Sequence, residues 1–208
     1  MNDFDKAIAE AFPLVAAPKK EPLDARVGSG IRYVVGSNGL AREVMLPFMR
    51  VVHMVSGFGP KVNLPYGAVE PVAEMWFEGI PRELIREFKQ AAVDALPNEV
   101  AGAFIWDECS NDFRFAKRET LVANGGYVSY REVKLEKGEH LVVDVHSHAS
   151  HPAFFSSTDD KDDNGSMKFS LVLGNVDTPS VSSAFRLNLA GYTFPASIDA
   201  DGNVEVKL

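Results

Sequence analysis

The chain has 208 residues, with 21 Lys+Arg against 29 Asp+Glu for a formal net charge of −8. Hydrophobic residues make up 46% and charged residues 24%, a globular composition that excludes a disordered or collagen-like chain and leaves enough length to bury a sizeable core. No window approaches the ~18 apolar residues of a membrane-spanning helix, and the acidic balance argues against nucleic acid or an anionic membrane as the main partner.

Asp3 and Asp5 stand where a signal peptide needs positive charge, so a cytoplasmic protein is expected. Cys109 is the one cysteine, which excludes disulfides within the chain and any multi-cysteine metal site. Its acidic setting, Asp107-Glu108-Cys109-Ser110, raises rather than lowers a thiol pKa and speaks against a nucleophile.

Residues 2–12 read as a short helix, with Phe4, Ile8 and Phe12 recurring every fourth position. Pro13, Pro18 and Pro22, with Lys19 and Lys20 between them, read as a non-helical connector. Ile31–Val35 is rich in strand formers. Gly36-Ser37-Asn38-Gly39 turns the chain into a second strand around Glu43–Leu46, and Val51–Val55 is a third candidate before Gly57, Gly59 and Pro60.

The clearest helix runs from Pro81 to Leu96, with Pro81 at its first position. Leu84, Ile85, Phe88, Ala91, Ala92 and Ala95 form its apolar face, and Pro97-Asn98 ends it. Val100–Trp106 is a short apolar run that reads as a buried strand, with Phe104 and Trp106 as core residues. Tyr127–Val133 and Leu141–His146 are further strands, separated by a turn around Lys137 and Gly138. Phe169–Leu173, Ala184–Leu189 and Val204–Leu208 follow, the last behind an Asp201-Gly202 hairpin turn.

His146, His148 and His151 fall within six positions. Strand side chains alternate faces, so His146 and His148 point the same way if extension persists. Two imidazoles at a strand mouth can share one metal, and the carboxylates in Phe155-Ser156-Ser157-Thr158-Asp159-Asp160 can supply a third ligand. Nitrogen and oxygen donors suit Zn²⁺ in an open tetrahedral site. His151 reads as a loop residue.

His146-x-His148, seven residues, Ser156, two residues and Asp159 match the H-x-H-x(7)-S-x-x-D signature. Residues 80–190 thereby resemble the JAMM (MPN+, Mov34/PAD-1) metalloproteases. Glu99, 47 residues before His146 in Pro97-Asn98-Glu99-Val100-Ala101-Gly102, resembles the family's glutamate after its first helix. The resemblance implies an α/β fold, a curved mixed β-sheet flanked by helices and similar to the deaminases. It implies that His146, His148 and Asp159 hold zinc, that Glu99 is general base then acid, and that Ser156 donates a hydrogen bond to an oxyanion. The implied reaction is hydrolysis of a peptide or isopeptide bond, with a ubiquitin-like protein or its conjugates as substrate.

The long N-terminal segment resembles that of the JAMM proteins in bacterial PRTRC gene systems, which implies a ThiF-like activating enzyme as a partner. Residues 1–70 are expected to form a small β-rich extension, and residues 71–208 the JAMM/MPN domain. Proline, common straight after the second histidine of the motif, is delayed here to Pro152, and the helix expected after Asp159 has room for one turn.

Other readings are weaker. Asp160-x-Asp162-x-Asn164-Gly165 opens like an EF-hand loop, but Leu171 stands where its bidentate Glu belongs. Asp144-x-His146-x-His148 resembles the opening of amidohydrolase barrels, but 60 residues after His148 cannot complete one. Asp144 is expected to face away from the histidines or to support them from behind. A non-catalytic MPN scaffold and a RadC-like DNA-associated role remain as alternatives. The full ligand set argues against the first, the −8 charge against the second.

Overall fold

The computed structural model describes residues 2–124 and 127–208. The chain forms two compact units that divide between Trp76 and Phe77.

The first unit opens with helix α1 (Asp3–Ala11), where the Asn2 side chain accepts the Asp5 N–H at 2.8 Å. A five-stranded sheet follows in the order β1 (Leu14–Ala16), β2 (Gly30–Val35), β3 (Gly39–Leu46), β4 (Met49–Gly57), β5 (Val72–Met75). β1 pairs parallel to β2, and the other neighbours are antiparallel. β1 lies inside the proline-flanked stretch read as a connector: three residues are free of proline, and pairing with β2 suffices to order them. β5 follows residue 70, where the extension was expected to end, and hydrogen-bonds β4.

Val34, Ala41, Val52 and Val69 make this unit's apolar core. Glu43 is fully buried beside them and accepts from Arg32 and, at 2.7 Å, from Arg50 Nε, while Arg50 also reaches Glu74 at 3.1 Å. A carboxylate taken out of water needs such partners.

In the second unit, α2 (Arg82–Ala95) buries Leu84, Phe88 and Ala92 of the predicted stripe, with Ile85, Ala91 and Ala95 half-buried. Pro81 is its N-cap rather than its first helical residue. A seven-stranded sheet has the order β14-β13-β12-β11-β10-β6-β7. Its strands are β6 (Ala101–Asp107), β7 (Asp112–Lys117), β10 (Glu139–Ser147), β11 (Met167–Gly174), β12 (Ser182–Leu189), β13 (Tyr192–Ile198) and β14 (Val204–Val206). β8 (Thr120–Asn124) and β9 (Tyr127–Tyr130) form a separate hairpin, so the strand expected over Tyr127–Val133 stops at Tyr130. Helix α3 (Ser157–Asp162) completes the unit.

β10 and β11 are parallel, and every other pair in the large sheet is antiparallel. The sheet is mixed for that reason. A parallel pair requires a crossover, and residues 148–166 provide it, with α3 inside. Phe88 of α2 packs edge-on against Phe115, which meets Phe104 in turn. The register puts Phe104, Phe115, Val143 and Val145 on this face of the sheet and Asp144 and His146 on the other. Gly102 is required between them, since a Cβ there would lie 2.5 Å from the Phe115 ring.

Candidate metal centre

β10 is extended through Ser147, so His146 and His148 leave it on the face opposite α2. Both are largely shielded from water. The Nε2 atoms of His146 and His148 are 3.3 Å apart, and His146 Nε2 is 3.3 Å from Asp159 Oδ1. One donor atom from each of the three residues fits within a 4.8 Å spread.

Local hydrogen bonds fix His148 and Asp159. His148 Nδ1 is 3.2 Å from the Pro152 carbonyl oxygen. A proton on Nδ1 donated there leaves Nε2 a bare lone pair facing His146. Asp159 sits at the third position of α3 in a capping box: its Oδ2 accepts the Ser156 N–H at 2.6 Å, and Ser156 Oγ accepts the Asp159 N–H at 3.2 Å. Oδ2 is thus held by the cap and Oδ1 is turned to His146. Ser156 uses a lone pair in the cap and keeps its hydroxyl proton to donate.

Glu99 precedes β6 and is 6% exposed. His146 pairs with Ala101, Ser147 N–H donates to the Val100 carbonyl at 2.9 Å, and Val100 N–H donates to Ser147 Oγ at 3.1 Å. One further step of this antiparallel register brings Glu99 opposite His148. Burial, reinforced by the negative charge of Asp159, raises the Glu99 carboxyl from 4.5 to about 7. Burial also lowers the His146 imidazole, against the opposing pull of Asp159. Neutral imidazole is the form that ligates a metal.

These residues fit a zinc ion. In a tetrahedral site with bonds of about 2.0–2.1 Å, ligand atoms stand about 3.3–3.4 Å apart, the spacing of the two closest pairs here. The structure brings together all three residues read as ligands and holds Ser156 to Asp159 through the cap. His151 lies in the exposed turn after His148, its N–H donating to the His148 carbonyl at 2.8 Å.

Asp144 departs from the reading that turned it away. It shares the face of His146, two residues on, and both line a cavity of about 390 Å³ with Asp159, Tyr130 and Lys168. Its carboxylate accepts from Arg118 at 2.7 Å and from Lys168. The two-residue period contained this placement, but the partners come from 26 and 24 residues away. Arg118, 2% exposed, also stacks over the Tyr130 ring at 4.2 Å. Cys109 is exposed and apart from these residues.

A mixed sheet that delivers two imidazoles from a strand end and a carboxylate from the β10–β11 crossover defines a domain of α/β type with a candidate metal centre. Residues 81–188, more than half of the chain, match the model of the prokaryotic homologs of the JAB domain, and the chain belongs to that family. This is the JAMM/MPN family that the histidine motif resembles. Residues 2–76 match a domain of unknown function, DUF2016. No curated protein matches the chain. Among solved structures it is similar to that of protein DSY2949 from Desulfitobacterium hafniense, at 19% identity and a TM-score of 0.41 over 61% of this chain and 86% of that one. Among the described residues, no helix is long and apolar enough to cross a membrane.

Proposed function

We propose that this protein is a zinc-dependent hydrolase of JAMM type that cleaves peptide or isopeptide bonds, with a ubiquitin-like modifier as substrate. The observation that carries the reading is the convergence of His146 Nε2, His148 Nε2 and Asp159 Oδ1, beside a buried glutamate whose carboxyl is raised to about 7. His146, His148 and Asp159 would hold the ion. When bound, it supplies Lewis acidity, which acidifies water toward neutrality and draws charge from a carbonyl oxygen.

The rest belongs to the chain's own side chains. Glu99 takes a proton from the attacking water as its oxygen bonds to the amide carbon. The Ser156 hydroxyl donates to the carbonyl oxygen as negative charge develops there. Glu99 then passes its proton to the departing nitrogen, the C–N bond breaks, and a carboxylic acid and an amine leave, the acid's proton passing to the amine or to solvent. In the metal-free site burial and Asp159 raise that carboxyl to about 7, and a bound dication would favour its charged form, the one that accepts a proton.

The test measures zinc by mass spectrometry and cleavage of a fusion in which a second protein follows the C-terminus of a ubiquitin-like modifier. Wild type is expected to carry about one zinc and to cleave. Glu99→Gln is expected to retain zinc and lose at least ~100-fold in rate, and His148→Ala to lose both. Cleavage by Glu99→Gln at the wild-type rate would remove the general base. Zinc binding without cleavage of any ubiquitin-like fusion would turn the reading to a scaffold.

A further inference from the structure

Helix α3 carries Asp159, yet it has six residues and buries none of them. A helix that short is far below the length that holds itself together in water. Its capping box orients Asp159 against Ser156, but both lie on the same turn, so the cap cannot fix that turn against His146.

The anchor comes from β12. Arg186, 7% exposed, faces the crossover. Its Nη1 donates to Asp160 Oδ1 at 2.6 Å, its Nη2 to Asp163 Oδ2 at 2.8 Å, and its Nε to the same Asp163 oxygen at 3.2 Å. Its Cζ lies 3.8 Å from the centre of the Phe155 ring. The guanidinium therefore grips residues 155, 160 and 163, on both sides of Ser156 and Asp159. Asp163 is held further by Ser170 Oγ at 2.8 Å, which itself accepts from Asn188 at 2.9 Å. All the anchoring side chains stand on β11, which pairs with β10, and on β12, which pairs with β11.

We infer that Arg186 is a positioning residue for the metal centre: it holds the α3 turn so that Asp159 Oδ1 meets the two imidazoles. The inference rests on the zinc reading above. Arginine suits the task because a planar fork bonds two carboxylates while its face stacks on an aromatic ring, and lysine can do neither fully. The same network spans the position of Ser156, so its loss misplaces the hydroxyl donor together with the ligand.

The experiment is a competition titration of zinc against a chromophoric chelator, on the full chain. Arg186→Met is expected to bind zinc ~10- to 100-fold more weakly than wild type, the range for lost support of a ligand. Arg186→Lys is expected to recover only part of that loss. Arg114→Met serves as control, since it removes a comparable bidentate arginine on β7 from its pair with Glu139, at the end of β10 away from His146, and should leave zinc affinity unchanged.

If Arg186→Met does not fold, Asp160→Ala/Asp163→Ala removes the acceptors and carries the same expectation. Zinc affinity within twofold of wild type in the folded variant would overturn the inference, as would an equal loss in Arg114→Met. Failure of wild type itself to bind zinc would instead overturn the metal reading, so the two failures are distinguishable.

Discussion

His53 is 1% exposed, and its Nε2 accepts a hydrogen bond from Arg42 Nε at 3.0 Å. Burial first, then the adjacent Arg42 charge, lower its pKa from 6.5 to about 4. The unfolded chain therefore takes up a proton below 6.5 that the folded protein refuses until about 4. Stability contributed by the neutral imidazole is present above 6.5 and lost as pH falls through that window, by about 3 kcal/mol. Urea midpoints at pH 7 and pH 4.5 in a Glu99→Gln background, which removes the opposing titration of Glu99, should show it, and adding His53→Gln, which keeps an acceptor for Arg42, should flatten the difference. An unchanged acid slope in His53→Gln would remove His53 as its source. No sequence pattern marks this histidine, because Arg42 becomes its neighbour only through the β3–β4 register. His146 and His148 differ: period two within one strand brings them together, which is why the metal motif is legible and the Arg42–His53 pair is not.

Elements with a long period of their own were legible. α2 shows its stripe over four turns, and β6 and β10 are apolar runs. β7 (Asp-Phe-Arg-Phe-Ala-Lys) and β13 (with Pro195) are mixed in polarity and stand at or near a sheet edge. Their extension comes from a neighbouring strand, which a local pattern does not reveal. The crossover lies between these cases. The spacing of Ser156 and Asp159 was readable, but the support of the turn after His148 was not. Gly174 at the end of β11 lets residues 151–153 lie directly on the strand, where a Cβ would come within 2.3 Å of the His151 oxygen and the Ala153 nitrogen. The same turn holds the Pro152 carbonyl that faces His148 Nδ1. Gly174→Ala is expected to cost about 1–3 kcal/mol, the range for overpacking, and to weaken zinc binding with it. Chemical denaturation paired with a zinc titration checks both, and a fully stable variant would show that the turn can shift aside.

Across the whole molecule, two buried groups drive the pH dependence of folding in opposite directions. His53 destabilises toward acid. Glu99 does the reverse: its carboxyl titrates near 4.5 when unfolded and about 7 when folded, so the folded protein holds an extra proton between those values. Its contribution is fully present below 4.5 and lost as pH rises through 7, since the chain must then bury a charge beside Asp159. The first unit should therefore lose stability toward acid, and the metal-free second unit toward alkali. In chelator at pH 8, Glu99→Gln is expected to exceed wild type in stability by roughly 3 kcal/mol, with the gap closing by pH 4.5. Zinc at 100 times its dissociation constant should raise wild type by about 2.7 kcal/mol. A general base is useful because it accepts a proton near neutrality, and that property is what costs the empty site its stability. A variant both inactive and more stable is the signature of a residue placed for chemistry rather than for the fold. Equal urea midpoints for wild type and Glu99→Gln at pH 8 would mean that Glu99 carries no such strain, and would weaken its assignment as the proton carrier.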